Sequence, residues 1–578
     1  MTGIFVVALA IALRIGWVLL VPTRPVGDFA MYLESTAHLV EFGSFDPEYV
    51  YMPGYIFLLA PVRALGGGWL AAKLVGGILG GLTAGAVWGI ARRIWNDRVA
   101  LVAGLLCALW PAGIALASVT GTDMPAAALI VIAIWSLVRF SPERPRLAAV
   151  LFGLIMGLAT YIRAVALPLT LLAVLPLRAS GLPWRRAVRS TALACVLCAA
   201  VLSPWIVRNR LRYGETFATD SHGGLTALVG ANPNTDGCYS RSLNLMFRDA
   251  TGFTLLAEPH READHAALDI ARQWTAFDPA FSVGMVLGKA ERLLSRERAL
   301  LYWPLFRIGV LPPEHAQWFG RWRSAIETLA DTYWSVVLAA ALVGLGVAWH
   351  RRRWMTLSLL PLMVGLGALY ALIFAEPRYR LPITLLLLIP AGAGLVWLSE
   401  LLAAVIRRRM LVKREILIAL ATAVVVLGSA HALAWAGGEL RDRNRWAVHL
   451  CDVDGRRQLC SWRVARHPGS HSGLRGVIDG WGLDLRGETT LQLDLAVSPG
   501  TYDLRANLEA RPPVTAGQIE LRVGQNRVSR ALAERVQGAD SLALPVSHTG
   551  GPLRVQVDVT SPATSSQLWL SHLRLVRQ

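Results

Sequence analysis

Two acids and three arginines carry most of the chemistry open to this sequence. Asp28 follows the first apolar stretch, Ile4–Val21, and opens the polar run GDFAMYLESTAHLVEFGSFDPEYVYMPGY from Gly27 to Tyr55. Asp123 ends the short polar turn Thr120-Gly121-Thr122-Asp123 between two further apolar stretches. Two carboxylates at the ends of separate spans can divide a transfer reaction: one takes the proton of an acceptor hydroxyl, the other holds a metal or orients a substrate. Asp123 also reads as an N-cap for the helix starting at Met124-Pro125. Arg163 sits at a break inside a long apolar run, and Arg378 and Arg380 lie in the turn Glu376-Pro377-Arg378-Tyr379-Arg380-Leu381-Pro382. The planar fork of a guanidinium matches phosphate oxygens, so an Arg pair beside Tyr379 suits the phosphate of a membrane-borne lipid. Snorkelling to ordinary headgroups is the plainer reading of the pair, as a helix-end anchor is of Arg163.

These residues need a membrane frame, and the composition supplies it. Of 578 residues, 54% are hydrophobic and 17% charged, with mean hydropathy +0.46. Soluble proteins average about 25% charged. The chain therefore reads as a multi-pass membrane protein with soluble parts. The net charge of +18 is no sign of nucleic acid. The arginines cluster between apolar spans, and no soluble segment carries a basic stripe interleaved with aromatics.

The clusters at 92–98, 139–146, 178–189, 351–353 and 407–414 are expected on the cytoplasmic side. Alternation satisfies all five with the N-terminus inside, provided that the run 147–177 crosses twice, and yields about eleven spans. Asp28, the 120–123 turn, Arg163 and the 375–380 turn then share the outer face. The expected organisation is an N-terminal membrane module over 1–207 with a first outer loop at 22–55. A large outer loop at 208–331, C-terminal membrane helices at 332–436 and an outer domain at 437–578 follow.

The tail changes character. Thr489–Val497, Tyr502–Leu508, Ile519–Val523, Leu553–Val559 and Gln567–Val576 alternate apolar with polar residues between Gly and Pro turns, which predicts an antiparallel β-sandwich of jelly-roll type. Cys451 and Cys460 flank a polar loop there. Outside the cytoplasm they are a candidate disulfide, although spacing alone does not fix pairing and two free thiols stay open.

Several motifs together resemble the GT-C membrane glycosyltransferases, in particular bacterial relatives of the dolichyl-phosphate-mannose protein mannosyltransferases and of the lipid A aminoarabinose transferase. They are Asp28 after the first span, Met52-Pro53-Gly54-Tyr55 and Thr122-Asp123. Ser203-Pro204-Trp205 with Arg208-Asn209, Gly223-Gly224-Leu225 leading to Gly230-x-Asn232-Pro233, and Arg378-Tyr379-Arg380-Leu381-Pro382 follow. They run in order over about residues 1–400. The resemblance implies Asp28 as catalytic base, Arg378 with Arg380 and Arg163 at the lipid phosphate, and Tyr55, Arg208 and Asn209 as substrate-loop residues. His222, in the large outer loop, is a further loop candidate as a ligand, although a lone loop histidine is usually none. Tyr51-Met52 stands where relatives often carry a charged residue, so no metal-ligand set is assigned and a divalent metal is the one cofactor left open.

The expectation is an all-α polytopic membrane domain of GT-C type with a C-terminal β-sandwich, in a bacterial plasma (inner) membrane, its tail extracytoplasmic. It would move a sugar from a polyprenyl-phosphate donor to a glycan, lipid or protein acceptor among membrane lipids, with inversion. No Gly-rich phosphate loop appears that would point to a nucleotide instead. The alternative is a transporter or flippase of lipid-linked glycans. It calls for polar groups deep in the spans and often for repeated halves, and the sequence shows no internal repeat. An assembly protein acting through its tail would need far fewer spans, since one helix already anchors.

Overall fold

The computed structural model describes residues 1–46, 49–254, 260–406 and 413–443. In the tail it describes 446–453, 456–466, 474–477, 480–485, 489–511, 518–531, 542–549, 552–560 and 566–578. Residues 407–412 of the last arginine cluster lie outside the described residues. The chain divides into two compact units: 1–220 with 290–370 and 376–432, and 221–289 with 371–375 and 433–578.

The first unit is helical. It begins with α1 (Thr2–Leu20), α2 (Asp28–Phe42), α3 (Gly54–Ala64) and α4 (Trp69–Ile94). Then come α5 (Asp97–Ala108), α6 (Pro111–Ala115), α7 (Asp123–Phe140) and α8 (Pro145–Ile162). Eight described helices are long and apolar enough to cross a membrane, or nine if the bent pair 97–108 and 111–118 forms one broken span. The chain is a multi-pass membrane protein. The run 147–177, which the sequence reading has crossing twice, holds one such helix. Only α8 in that run is span-length, while 166–179 is a shorter apolar helix after the break at Arg163. The helix Trp184–Tyr213 continues past residue 207, and Arg323–His350 starts before 332. Backbone hydrogen bonding carries a helix beyond its apolar stretch, so hydropathy alone clips both ends.

Glycine sets how closely these helices approach. A β-carbon on Gly81 of α4 would lie 2.3 Å from Ile11 of α1, and one on Gly344 would lie 1.8 Å from the Pro390 carbonyl. Small residues let membrane helices pack backbone to backbone, where dispersion contacts hold them together. The second crossing anchors Leu381–Ile406, the helix entered directly from the Arg378 turn. Arg14, buried mid-way along α1, donates to the Cys107 and Ala108 carbonyls at 3.0 and 3.3 Å. These carbonyls end α5, where the chain breaks before Pro111 and no further helical N–H reaches them. This is the partner that a charge within a span requires.

In the second unit the tail is β-rich, as the alternation predicts. Its strands are β1 (Trp446–Val453), β2 (Arg456–Arg466), β3 (Leu474–Val477), β4 (Gly480–Leu485), β5 (Thr489–Ala496) and β6 (Gly500–Arg511). They continue as β7 (Gln518–Val523), β8 (Asn526–Ala531), β9 (Leu542–His548), β10 (Pro552–Thr560) and β11 (Ser566–Arg577). Hydrogen bonds join them in the order β3-β4-β11-β1-β2-β5-β10-β7-β8, with β6 pairing both β11 and β9. The pairs are antiparallel except β1 on β11, which is parallel, a crossover that alternation cannot reveal. Leu491, Leu493 and Leu495 of β5 face a common core with Leu504, Leu521, Val555 and Leu575. The period-2 pattern puts them there, since alternate side chains share a face. Cys451 and Cys460, on the paired β1 and β2, are disulfide-bonded, their Cα atoms 5.9 Å apart.

Candidate active site

The groups that gather in the first unit come from four separate breaks in its helices. Gly27, at φ 56, takes the left-handed turn that lets α2 begin at Asp28. Asp123 begins α7, and an acid at either position complements the helix dipole. Arg163 ends α8 in an extended conformation, and Pro377–Arg380 forms a 3₁₀ turn before Leu381–Ile406. Side chains lace the loops together. The Thr120 hydroxyl donates to the Phe29 carbonyl at 3.1 Å, and the Thr23 hydroxyl donates to that of Ser118. The turn holding Asp123 is thereby tied to the one holding Asp28.

Asp123 is the hub. Its Oδ1 lies 2.5 Å from Arg163 Nη2, and its Oδ2 lies 3.5 Å from Arg378 Nη1. Arg378 Nη2 is 3.9 Å from Asp28 Oδ2, so one guanidinium spans both acids. The two acids differ in exposure: the Asp123 side chain is 10% exposed and that of Asp28 51%. Arg163 is fully engaged, donating to the Thr122 hydroxyl at 3.2 Å and lying 4.2 Å over the Tyr379 ring, which stacks on Tyr370. Arg378 is buried yet less spent. Its contacts to the acids are longer than hydrogen bonds, and its Nε has no hydrogen-bond partner among the described residues. It lies 4.7 Å over the Trp303 ring.

Burial pushes the Glu376 carboxyl above the ordinary carboxylate range, against the pull of Arg378 and Arg292. Burial, reinforced by Asp28, likewise pushes the Tyr32 and Tyr51 phenols up, so both stay neutral hydroxyls beside the acids.

The other sequence candidates fall elsewhere. Arg380 is fully buried, ion-paired with Glu297, and donates to the Leu293 and Ser295 carbonyls. Glu297 also accepts from the Trp110 indole. Arg380 thus holds the turn that displays Arg378. Tyr55 is buried against Tyr32. Asn209 donates to the Phe217 and Thr219 carbonyls, and Arg208 lies 4.5 Å over Trp205. His222 belongs to the second unit, where it begins the helix Gly223–Ala231. Glu297 and Trp303, which meet Arg380 and Arg378, were not legible from the sequence. The aromatic pair Tyr302-Trp303 inside a polar loop was the signal that pointed there.

The donor set does not suit a divalent metal. Asp123 is committed to two guanidinium groups, and among the described residues no three His, Cys, Asp or Glu side chains group as ligands.

Residues 52–207 match the family model described as dolichyl-phosphate-mannose-protein mannosyltransferase. The resemblance read from the motifs is borne out over that segment, which is well under half of the chain. No curated protein matches the chain. Among solved structures it is similar to the oligosaccharyltransferase AglB from Archaeoglobus fulgidus, in complex with an inhibitory peptide and a dolichol-phosphate. That match has 13% identity and a TM-score of 0.43, covering 76% of this chain and 56% of that one. ArnT from Cupriavidus metallidurans, bound to undecaprenyl phosphate, matches at 16% identity and TM-score 0.39, covering 76% of this chain and 74% of that one. The arabinosyltransferase EmbB from Mycobacterium smegmatis matches at 13% identity and TM-score 0.25, covering 100% and 64%. This chain spans little more than half the length of the first of these proteins. At such identities and scores they say nothing of this chain's substrates.

Proposed function

We propose that the protein transfers a sugar from a polyprenyl-phosphate donor to an acceptor hydroxyl on the extracytoplasmic side of a bacterial plasma membrane, with inversion. The observation that carries this reading is the Asp28–Arg378–Asp123–Arg163 cluster at four helix breaks. It pairs a half-exposed carboxylate with a buried guanidinium whose donors are not all spent. The matched family model, named for a dolichyl-phosphate-mannose donor, supports the donor class.

In this reading Asp28 takes the acceptor proton, since of the two acids it is the one open to an incoming hydroxyl. Arg378 meets the charge that develops on the departing lipid phosphate. Asp123 and Arg163 hold Arg378 in place, and Tyr379 lines the Arg163 side of the turn.

The test is to incubate purified protein with lipid-linked sugar extracts and follow the loss of each donor. Asp28→Asn is then expected to slow turnover about a hundredfold or more, the usual scale for losing general-base help, while donor binding changes little. Full turnover in Asp28→Asn would remove the base assignment. Consumption of no donor by the wild type would remove the transferase reading.

A further inference from the structure

The cations proposed for the lipid phosphate do not all have charge to give. Arg163 is locked on Asp123, and Arg380 on Glu297 in full burial. Arg378 alone must face both acids and an incoming anion. A departing phosphate carries more charge than one partly neutralised guanidinium can balance, and phosphate sites commonly converge several donors.

A second guanidinium lies beside it. Arg307 sits 4.1 Å over the Trp303 ring, the same indole that Arg378 covers at 4.7 Å. Trp303 is carried on a single wide turn, Tyr302–Phe306, which ends at Arg307, and its ring meets Phe29 edge-on with centroids 5.5 Å apart. Arg307 also reaches the start of α2: a β-carbon on Gly27 would lie 3.2 Å from its Nη2. It is thus next to the residue that precedes Asp28. No acid pairs with Arg307 among the described residues, and its side chain is partly exposed. The indole orients the fork without neutralising it, since a cation–π contact supplies no counter-charge. Neighbouring Arg323 differs: it has Glu327 at 2.7 Å.

We propose that Arg307 and Arg378, both braced on Trp303, form a two-guanidinium phosphate site beside Asp28, and that Arg307 is the anion contact with charge to spare. This rests on the donor reading above and identifies which residues would take the phosphate of that donor. With two forks sharing the phosphate charge, Asp28 is spared from being a permanent counter-ion and stays available to a hydroxyl.

Farnesyl phosphate, a short polyprenyl phosphate, serves as the probe, titrated into detergent-purified protein beside inorganic phosphate and phosphatidylglycerol. Arg307→Gln is expected to weaken farnesyl phosphate binding about tenfold or more, the loss of one charge-assisted contact. Arg307→Lys should recover part of it, because a point charge replaces a fork. Arg323→Gln, which removes a nearby but paired cation, should leave it unchanged. A melting curve for Arg307→Gln equal to the wild type's excludes misfolding as the cause. Equal binding by Arg307→Gln and wild type would overturn the Arg307 assignment and leave the donor reading standing, as would equal weakening by Arg323→Gln. Inorganic phosphate or phosphatidylglycerol bound as tightly, with the same Arg307 dependence, would overturn the polyprenyl source. A wild type that binds no farnesyl phosphate would take down the donor reading together with this one.

Discussion

The ion pair between Glu297 and Arg380 offers the sharpest test of how the site is held. Both side chains are fully excluded from solvent, and the pair joins the 295–297 loop to the turn that carries Arg378. Glu297→Gln keeps the shape and an acceptor for the Trp110 indole but removes the charge. Arg380 is then a buried cation without a counter-ion, a defect of about 3–5 kcal/mol. Coulomb's law gives the same scale, about 4 kcal/mol for unit charges ~4 Å apart at an effective dielectric of ~20. The carbonyls of Leu293 and Ser295 still accept from Arg380, which favours the lower end, about 3 kcal/mol. Arg380→Met should cost a similar amount by stranding Glu297. The double variant should recover most of the loss, because a neutral buried pair has no charge to desolvate. Unfolding of detergent-purified protein by dodecyl sulfate titration, followed by tryptophan fluorescence, measures all four corners of the cycle. Single-variant losses that simply add would refute the pairing as the source of the effect. The turnover of Glu297→Gln should fall as well, through weaker donor binding rather than a slower proton transfer, since Arg378 and not Asp28 is carried on the released turn.

Two further outcomes follow from the geometry. The raised pKa of Glu376 means that the folded chain binds its proton more tightly than the unfolded chain does. Its stabilising contribution is present below the ordinary carboxylate pKa and is lost as pH rises through the folded value. Glu376→Gln should therefore flatten the wild type's decline in melting temperature between pH 4 and neutrality, and an unchanged slope would dissociate that decline from this carboxyl. In the tail, thiol labelling of denatured protein should leave Cys451 and Cys460 protected until a reductant is added. Labelling of both beforehand would show that the bridge does not form.

The sequence by itself determined the class of molecule and the kinds of chemistry within it. Long apolar stretches have to span a lipid phase, because unpaired backbone polar groups are intolerable there, and period-2 alternation in the tail has to be sheet. Asp28, Asp123, Arg163 and Arg378 were legible for the same reason: charge at the ends of apolar helices is conspicuous against its surroundings. Their order of importance was not. Arg378 and Arg380 stand two residues apart in one turn and read alike, yet one lies over Trp303 between two acids and the other is buried on Glu297. That difference is set by a residue about eighty positions away in sequence, and local pattern carries no information about such a partner. Arg307 was hidden for the same reason, since only packing against Gly27 and Trp303 brings it to Asp28. Packing also decided where the described helices bend and end, eight of them, or nine with the bent pair, being long and apolar enough to cross. Hydropathy measures how apolar a stretch is and marked the break at Arg163, whereas the bend before Pro111 was hidden, because Arg14, the side chain that meets the carbonyls exposed there, comes from another helix.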